Sequence, residues 1–415
     1  MGAHWPCTDA RLARSDQRRD GGRNLPAVTS TRALPPRVLV DATAIPADRA
    51  GVGRYVDELL AAIDADGVSV VVACQLDDVA HYEARLAHAT VIGVKNVSGR
   101  AARLIWEQIG LPRLAAKTGV ALIHSPHYTL PVVTSRLQTV TFHDATFMSD
   151  PQVHTRMKRH FFPAWMRISR RFANGVIVPS AATERELRTH LGTAHWPLVQ
   201  VAHLGVDLER FVPPSDAARA ELAERLGLGD RWIAYLGSIE PRKNVPALIE
   251  AYATLAATWT APADDLPVLA LAGGAGWDVD LAPSIAAVAA PGRVARLGYL
   301  DLDDLPAYLG GAEVVAYPSL GEGFGLPVLE AMACGAAVLT TRRLSIPEVG
   351  GDAVEYCETD APAIAAALAS LITDPERRHE LSAAGRTRAS TFTWAACARL
   401  HLQLWDSLID GTTAA

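Results

Sequence analysis

The chain has 415 residues, 49% of them hydrophobic and 20% charged, with a formal net charge of −6. That allows two domains of about 150–200 residues with real cores and excludes an intrinsically disordered chain. The acidic balance argues against a general nucleic-acid binder, and five dispersed cysteines without CxxC spacing (Cys7, Cys74, Cys334, Cys357, Cys397) argue against a disulfide framework or zinc site and fit a reducing cytosol.

Residues 1–36 lack the apolar segment of a signal peptide and read as a disordered, arginine-rich extension outside the fold. No apolar run approaches the ~18 residues needed to span a bilayer. The expected location is therefore the cytoplasm, with at most peripheral contact at the inner face of a membrane.

From Arg37 the pattern alternates. "RVLVD" (37–41) reads as a strand, and "VGRYVDELLAAI" (52–63) spaces Tyr55, Leu59, Leu60 and Ile63 as one face of a helix. Further strands are expected at 68–73, 121–124, 139–143, 175–179 and 198–202, with helices between them. Near-continuous apolar strands separated by helices predict a parallel sheet covered on both faces. In "RAGVGRY" (49–55), Gly51 and Gly53 open the helix, as a backbone approaching an anion would require. A dinucleotide-binding fingerprint is the rival reading, weakened by the ten residues between strand and glycines and by Val56 at the third glycine position.

"HSPHYTLP" (124–131) places His124, His127 and Tyr128 at a strand end, and "TVTFHDATF" (139–147) does the same for His143 with Asp144 beside it. Ligands of open α/β sheets bind beyond such carboxyl ends. A metal pair from His124 and His127 lacks further ligands. "HTRMKRHFFPAWMRISRRFA" (154–173) carries six cations and no acid among Phe161, Phe162, Trp165 and Met166. It reads either as a basic aromatic helix resting on anionic lipid or as an ordinary half-buried helix kinked at Pro163.

Pro213 and Pro214 interrupt the alternation, which restarts with strands at 232–237, 268–273, 294–298, 314–319, 337–341 and 353–357. The economical division is a Rossmann-like domain over 37–213, a second over 214–392, and a terminal segment over 393–415 whose helix crosses the domain boundary. Two sheets facing across a cleft suit transfer of a group between two molecules.

After the strand "WIAYL", "GSIEPRKN" (237–244) sets Arg242 and Lys243 where a loop enters a helix. A leaving diphosphate needs fixed cations or a metal there, and Lys243 is one of only four lysines in an arginine-rich chain. "DLDD" (301–304) resembles a metal-binding DxD, but its position at a helix start is better explained by capping. In "SLGEGFGLPVLEAMACG" (319–335), Glu322 and Glu330 flank Gly323, Phe324, Gly325, Leu326 and Pro327. Pro327 suits the start of a helix, so the amides of Phe324, Gly325 and Leu326 point out of a helix N-terminus and Glu330 falls in its first turn. Amides hold phosphate, whereas carboxylates accept from hydroxyls. A diphosphate flanked by polyol rings, as in a nucleotide-sugar, satisfies both.

"GSIEPRKN", followed about eighty residues later by "PSLGEGFGLPVLEAMACGAAVLTT", resembles the retaining glycosyltransferases of family 4, which have the GT-B fold. The resemblance covers roughly 40–409 and is stronger in the second half. It implies an N-terminal acceptor domain and a C-terminal donor domain. Glu322 would contact the donor hexose, Glu330 the ribose, and Arg242 and Lys243 the diphosphate. Ser238 stands where many members have arginine, so Arg242 would take over that charge. Gly51 and Gly53 would touch the diphosphate from the opposite domain, and Leu297 would line the donor side. His143 would lie beside the reacting sugar with Asp144 bracing its loop, and His124, His127 and Tyr128 would face the acceptor. The implied reaction is metal-independent and cofactor-free, a retaining hexosyl transfer by front-face attack. The expected donor is GDP-mannose and the acceptor a saccharide or lipid-linked molecule of cell-envelope polysaccharide or glycolipid synthesis. A UDP-sugar transferase, a nucleotide-sugar epimerase, a nicotinamide oxidoreductase and a degenerate glycan-binding scaffold are the alternatives.

Overall fold

The computed structural model describes residues 37–45, 49, 51–97, 99–277 and 280–413. The N-terminal extension expected at 1–36 lies outside them. Among the described residues, thirteen strands form two sheets in which every strand pair is parallel.

The first sheet contains β1 (Val38–Asp41), β2 (Val71–Gln75), β3 (Thr90–Val94), β4 (Leu122–Ser125), β5 (Leu137–Thr141), β6 (Gly175–Val178) and β7 (Leu198–Val201), in the order 3-2-1-4-5-6-7. The second contains β8 (Trp232–Leu236), β9 (Val268–Ala272), β10 (Val294–Gly298), β11 (Val314–Tyr317), β12 (Val338–Thr341) and β13 (Glu355–Cys357), in the order 10-9-8-11-12-13. The order in which strands are added therefore reverses between β1 and β4 and between β8 and β11, the switch points at which doubly wound sheets open a crevice. β3 is absent from the sequence expectations. Its "TVIGV" is an edge strand, half-exposed throughout, and its glycine lets Val79 pack where a Cβ would stand.

Helices cover both faces of the first sheet. Leu39, Val71 and Ile123 pack on Leu111 and Ala115 of α2 (Arg100–Thr118). On the other face, Val38, Val40 and Val72 share a core with Tyr55, Leu59 and Ile63 of α1 (Gly51–Ala65). α3 (Arg156–Phe172) runs without a break through Pro163, burying Met166 and packing Phe162 on Tyr128 and Phe147. α4 (Ala181–Leu191) is capped by Ser180, whose Oγ accepts from the Thr183 amide.

In the second half, α5 (Leu326–Ala333) follows β11, and α6 (Trp394–Thr413) ends the described chain. α6 lies against α1 and across β5, β6 and β7, so the last element in sequence completes the first sheet. Its fully buried Trp405 donates from Nε1 to Thr139 Oγ1 at 3.1 Å, and His401 Nε2 lies 2.8 Å from the Tyr55 hydroxyl. His124 occupies the same interior, 3.0 Å from Thr139 Oγ1 and against the Trp405 ring. The expectation that His124 faces an acceptor cleft is therefore wrong. Alternation along β4 turns its side chain into the face that α6 covers.

The capping expected of the 301–304 acids is also replaced. Asp301 and Asp304 make no side-chain cap; Asp304 takes Arg225 at 2.6 and 3.1 Å, and Asp303 pairs with Arg210 of the connector. The two sheets are tied by Glu348 on the short helix Ile346–Gly350. Its carboxylate accepts the amides of Ala181 and Ala182 at 2.8 and 2.6 Å, at the positive end of α4.

Truncating Trp405 to Ala removes a fully buried aromatic, its hydrogen bond to Thr139 and its packing on His124. We expect a loss of about 3–5 kcal/mol, read from urea unfolding, and an unchanged urea midpoint would mean that α6 does not stabilise the first sheet.

Candidate functional site

The carboxyl end of β8 leads through Gly237–Glu240 into the turn Pro241–Lys243. Gly273, at the end of β9 with φ +132, lies so close that an added Cβ would stand 2.1 Å from the Gly237 carbonyl oxygen. This contact and the Ile239 amide bond to the Gly274 carbonyl (3.0 Å) fix the loop. Ser238 contributes its carbonyl, which accepts from the Tyr235 hydroxyl at 3.1 Å.

Arg242 and Lys243 converge on Glu322. Arg242 Nη1 lies 2.5 Å from Glu322 Oε2 and also donates to the Gly321 carbonyl at 2.6 Å, while Lys243 Nζ lies 2.7 Å from Glu322 Oε1. Tyr317 and Ser319 donate to the same Oε1 at 2.9 and 2.6 Å, and Lys243 Nζ also bonds the Tyr317 hydroxyl. Burial pushes the Glu322 carboxyl up, but the two cations outweigh it and hold it far below the ordinary 4.5. Burial pulls the Lys243 ammonium down from 10.5, against the pull of Glu322. Arg242 loses charge stability to burial and regains more from Glu322 and then Asp144, so it stays cationic. The sequence expectation set the two cations on a diphosphate and Glu322 on a sugar; the fold ties all three together.

α5 starts beside this cluster. Gly325, in the left-handed region at φ +110, is its N-cap, and Leu326 and Pro327 are its first residues. Glu330 therefore lies in the second turn rather than the first. It is 1% exposed, and its Oε1 is bonded by Arg54 of α1, while its Oε2 is buried without a hydrogen-bond partner. Burial raises the Glu330 carboxyl above 4.5, and Arg54 opposes the rise.

Gly323 precedes the amides expected to hold a phosphate. It clears space for protein: an added Cβ would stand 1.8 Å from the His143 carbonyl oxygen and 2.8 Å from Asp144 Cβ. Its own carbonyl accepts from Ser180 Oγ and Thr183 Oγ1 at 2.7 and 3.0 Å. Phe324 is buried against His203 and Phe392. Gly53 is likewise packed, with Arg49 and Ile45 each 3.1 Å from an added Cβ, whereas Gly51 faces open space. Leu297 sits on edge strand β10, two strands from β8, packed half-buried on the core outside the charge cluster.

On the facing edge, His143 Nε2 lies 2.6 Å from the Pro126 carbonyl oxygen, which fixes the proton on Nε2 and leaves Nδ1 as the acceptor of the neutral ring. Burial lowers its pKa from 6.5. Its ring stands edge-on to Tyr55 at 5.0 Å. The Asp144 amide donates to the buried Tyr128 hydroxyl at 3.2 Å, and the Asp144 carboxylate accepts from Thr146 Oγ1 at 3.3 Å. His127 is half-buried beside them, its Nδ1 unpartnered and its pKa pulled down to about 3 by burial and then by His143. The structure thus joins His127, Tyr128, His143 and Asp144 to the Gly323 edge, and separates His124 and Leu297 from it. Sequence reasoning missed Arg54 and Tyr55, although both stand inside the quoted "RAGVGRY". It also missed Ser180, Thr183 and Glu348, whose partners are more than a hundred residues away.

Comparison with known proteins bears on the family and the fold. The model "Glycosyltransferase Family 4" matches residues 49–210 and "Glycosyl transferases group 1" matches residues 219–388. O-antigen chain mannosyltransferase B of Escherichia coli is 30% identical over 283 residues, 66% of this chain and 71% of that one. D-inositol 3-phosphate glycosyltransferase of Salinispora tropica is 37% identical over 210 residues, 47% of this chain and 43% of the relative. The GDP-mannose-dependent alpha-(1-6)-phosphatidylinositol monomannoside mannosyltransferase of Mycolicibacterium smegmatis is 34% identical over 215 residues, 49% of this chain and 55% of the relative. The match thus spans only about half the length of these last two. Sucrose-phosphate synthase from Thermosynechococcus elongatus shares the fold at TM-score 0.71 and 21% identity, covering 90% of this chain and all of that one. Anabaena HepE in complex with UDP and glucose does so at 0.70 and 18%, with the same coverage. With both halves matched in family and nine-tenths of its length matched in fold, the chain belongs to the GT4-type glycosyltransferases and carries their GT-B architecture.

Proposed function

We propose that this glycosyltransferase moves mannose from GDP-mannose to a hydroxyl of a saccharide or lipid-linked acceptor in cell-envelope polysaccharide or glycolipid synthesis, retaining the anomeric configuration. The observation that carries the reading is the Arg242–Glu322–Lys243 cluster at the mouth of α5. Two fixed cations and a helix N-terminus supply the positive field that a departing diphosphate requires, without calling on a metal. Glu322 anchors the cations and offers its oxygens to sugar hydroxyls.

A carboxylate held so far below its ordinary pKa is a poor proton acceptor. In this reading the C1–O bond to phosphate breaks, the C1–O bond to the acceptor forms on the same face, and the acceptor proton passes to the departing phosphate. The protein positions the partners and stabilises charge. Nδ1 of His143, with Nε2–H given to Pro126, accepts a hydrogen bond from a substrate hydroxyl and orients it. Mannose is favoured because two relatives described above are mannosyltransferases, one of them named for GDP-mannose. Among the described residues no helix is long and apolar enough to cross a membrane. α3 nevertheless leaves Ile168 and Phe172 exposed beside exposed Arg167 and Arg171, which supports peripheral contact with anionic lipid.

Three measurements test this. GDP-mannose should raise the melting temperature and be slowly hydrolysed, whereas UDP-glucose and UDP-GlcNAc should do neither. Stabilisation by a UDP-sugar alone would change the donor, and no response to any nucleotide-sugar or nucleoside diphosphate would remove the transferase reading. Glu322→Gln should lower transfer by about 10²–10³-fold with GDP binding kept, and should cost about 3–5 kcal/mol at pH 7 by leaving buried cations unpaired. Because the folded pKa is depressed, that contribution is complete above 4.5 and fades as pH falls below it, so wild type and variant converge in acid; a constant gap would contradict the assignment. Sedimentation at low salt should occur with phosphatidylglycerol vesicles and not with phosphatidylcholine, and failure with both would exclude the membrane as a partner.

A further inference from the structure

We propose that Arg54 is a positioning residue of the donor site, holding the Glu330 carboxylate so that its second oxygen receives a ribose hydroxyl. The inference rests on the reading of Glu330 as the ribose-facing carboxylate. Arg54 projects from the first turn of α1, opened by Gly51, and reaches a glutamate 276 residues away on α5. Its guanidinium also lies 5.5 Å from the centre of the Phe211 ring, in the connector between the two sheets. Three separate segments therefore meet at one side chain.

The pairing is one-sided. A guanidinium and a carboxylate frequently pair through two parallel bonds, yet Arg54 meets Glu330 through a single nitrogen on a single oxygen. Glu330 Oε2 is left buried and unpartnered in a residue 1% exposed. A buried carboxylate oxygen without a donor is costly, and here it belongs to the second turn of α5, one turn beyond the helix end at which the diphosphate of a nucleotide would sit. The missing partner is a donor that carries no negative charge, which fits a sugar hydroxyl and not a phosphate oxygen. Arg54 opposes the upward push of burial on the Glu330 carboxyl, and an ionised carboxylate accepts at both oxygens. The arginine acts through Glu330 and touches no reacting atom.

The test uses the full chain and two probes, GDP and 2′,3′-dideoxy-GDP, with affinities from calorimetry. Wild type should prefer GDP by about tenfold or more, the scale of a hydrogen bond to a charged group. In Arg54→Ala the preference should collapse below about twofold. Arg54→Gln, which keeps the aliphatic stem and a polar end but lacks the guanidinium and its charge, should give the same collapse and covers the case in which the alanine variant does not fold. In a Glu330→Gln background, Arg54→Gln should change the ratio no further. A variant that loses stability but keeps the tenfold ratio overturns the inference and leaves Glu330 as the ribose partner. A wild-type ratio near one overturns both.

Discussion

The site depends on a buried triplet of unequal charge. Arg242 and Lys243 are positive, Glu322 is negative, and all three side chains are nearly removed from water. Burying an unpaired ion costs several kcal/mol, so such a group persists only when each charge has partners close by. Glu322 has four: two cations and the hydroxyls of Tyr317 and Ser319. The positive charge left over is what the facing edge sees. Asp144 answers it from the first sheet, as the upward pull of Asp144 on the Arg242 guanidinium records.

That electrostatic reach needs contact, and Gly323 makes the contact possible. Any side chain there would collide with the His143 backbone, so the absent Cβ sets how near the two edges come. Ser180 and Thr183 then clasp the Gly323 carbonyl, and Glu348 returns the favour by capping α4. α1 adds a third tie with two adjacent residues that point apart. Arg54 crosses to Glu330, while Tyr55 stays at home between His143, Thr141 and His401. One helical turn thus touches the acid of the second sheet and the histidine of the first.

The sheets were legible because their strands are runs of Val, Ile, Leu and Ala bounded by turn residues, a pattern that two-sided burial imposes. β3 escaped because an edge strand need not be apolar, and its Thr90 and Gly93 carry no such pattern. The charge cluster was half legible. The types and positions of Arg242, Lys243, Glu322 and Glu330 could be read from "GSIEPRKN" and "EGFG", but not that the cations would grip Glu322. Strand-end position pointed to both His143 and His124; the first lies at the edge that meets Gly323, whereas the second turns from β4 into the core beneath α6. Arg54 carried no local signal, since nothing in a helix announces a partner 276 residues on.

Two carboxylates beside a helix end proposed to hold a phosphate pose an electrostatic problem, and pairing resolves it. Glu322 is neutralised twice over by Arg242 and Lys243, and Glu330 once by Arg54, so neither presents a bare charge to an approaching diphosphate. In the proposed complex the same cations are shared between an internal acid and an external anion. In the proposed reaction this sharing has a direction. The diphosphate gains charge as its bond to the sugar breaks, and a guanidinium and an ammonium already poised by Glu322 need only shift their balance toward it, with no ion to bring in from water. A carboxylate that holds cations in place before the bond breaks, and yields part of their field as it does, is complementary to the later state more than to the earlier one, which is the condition for speeding the step.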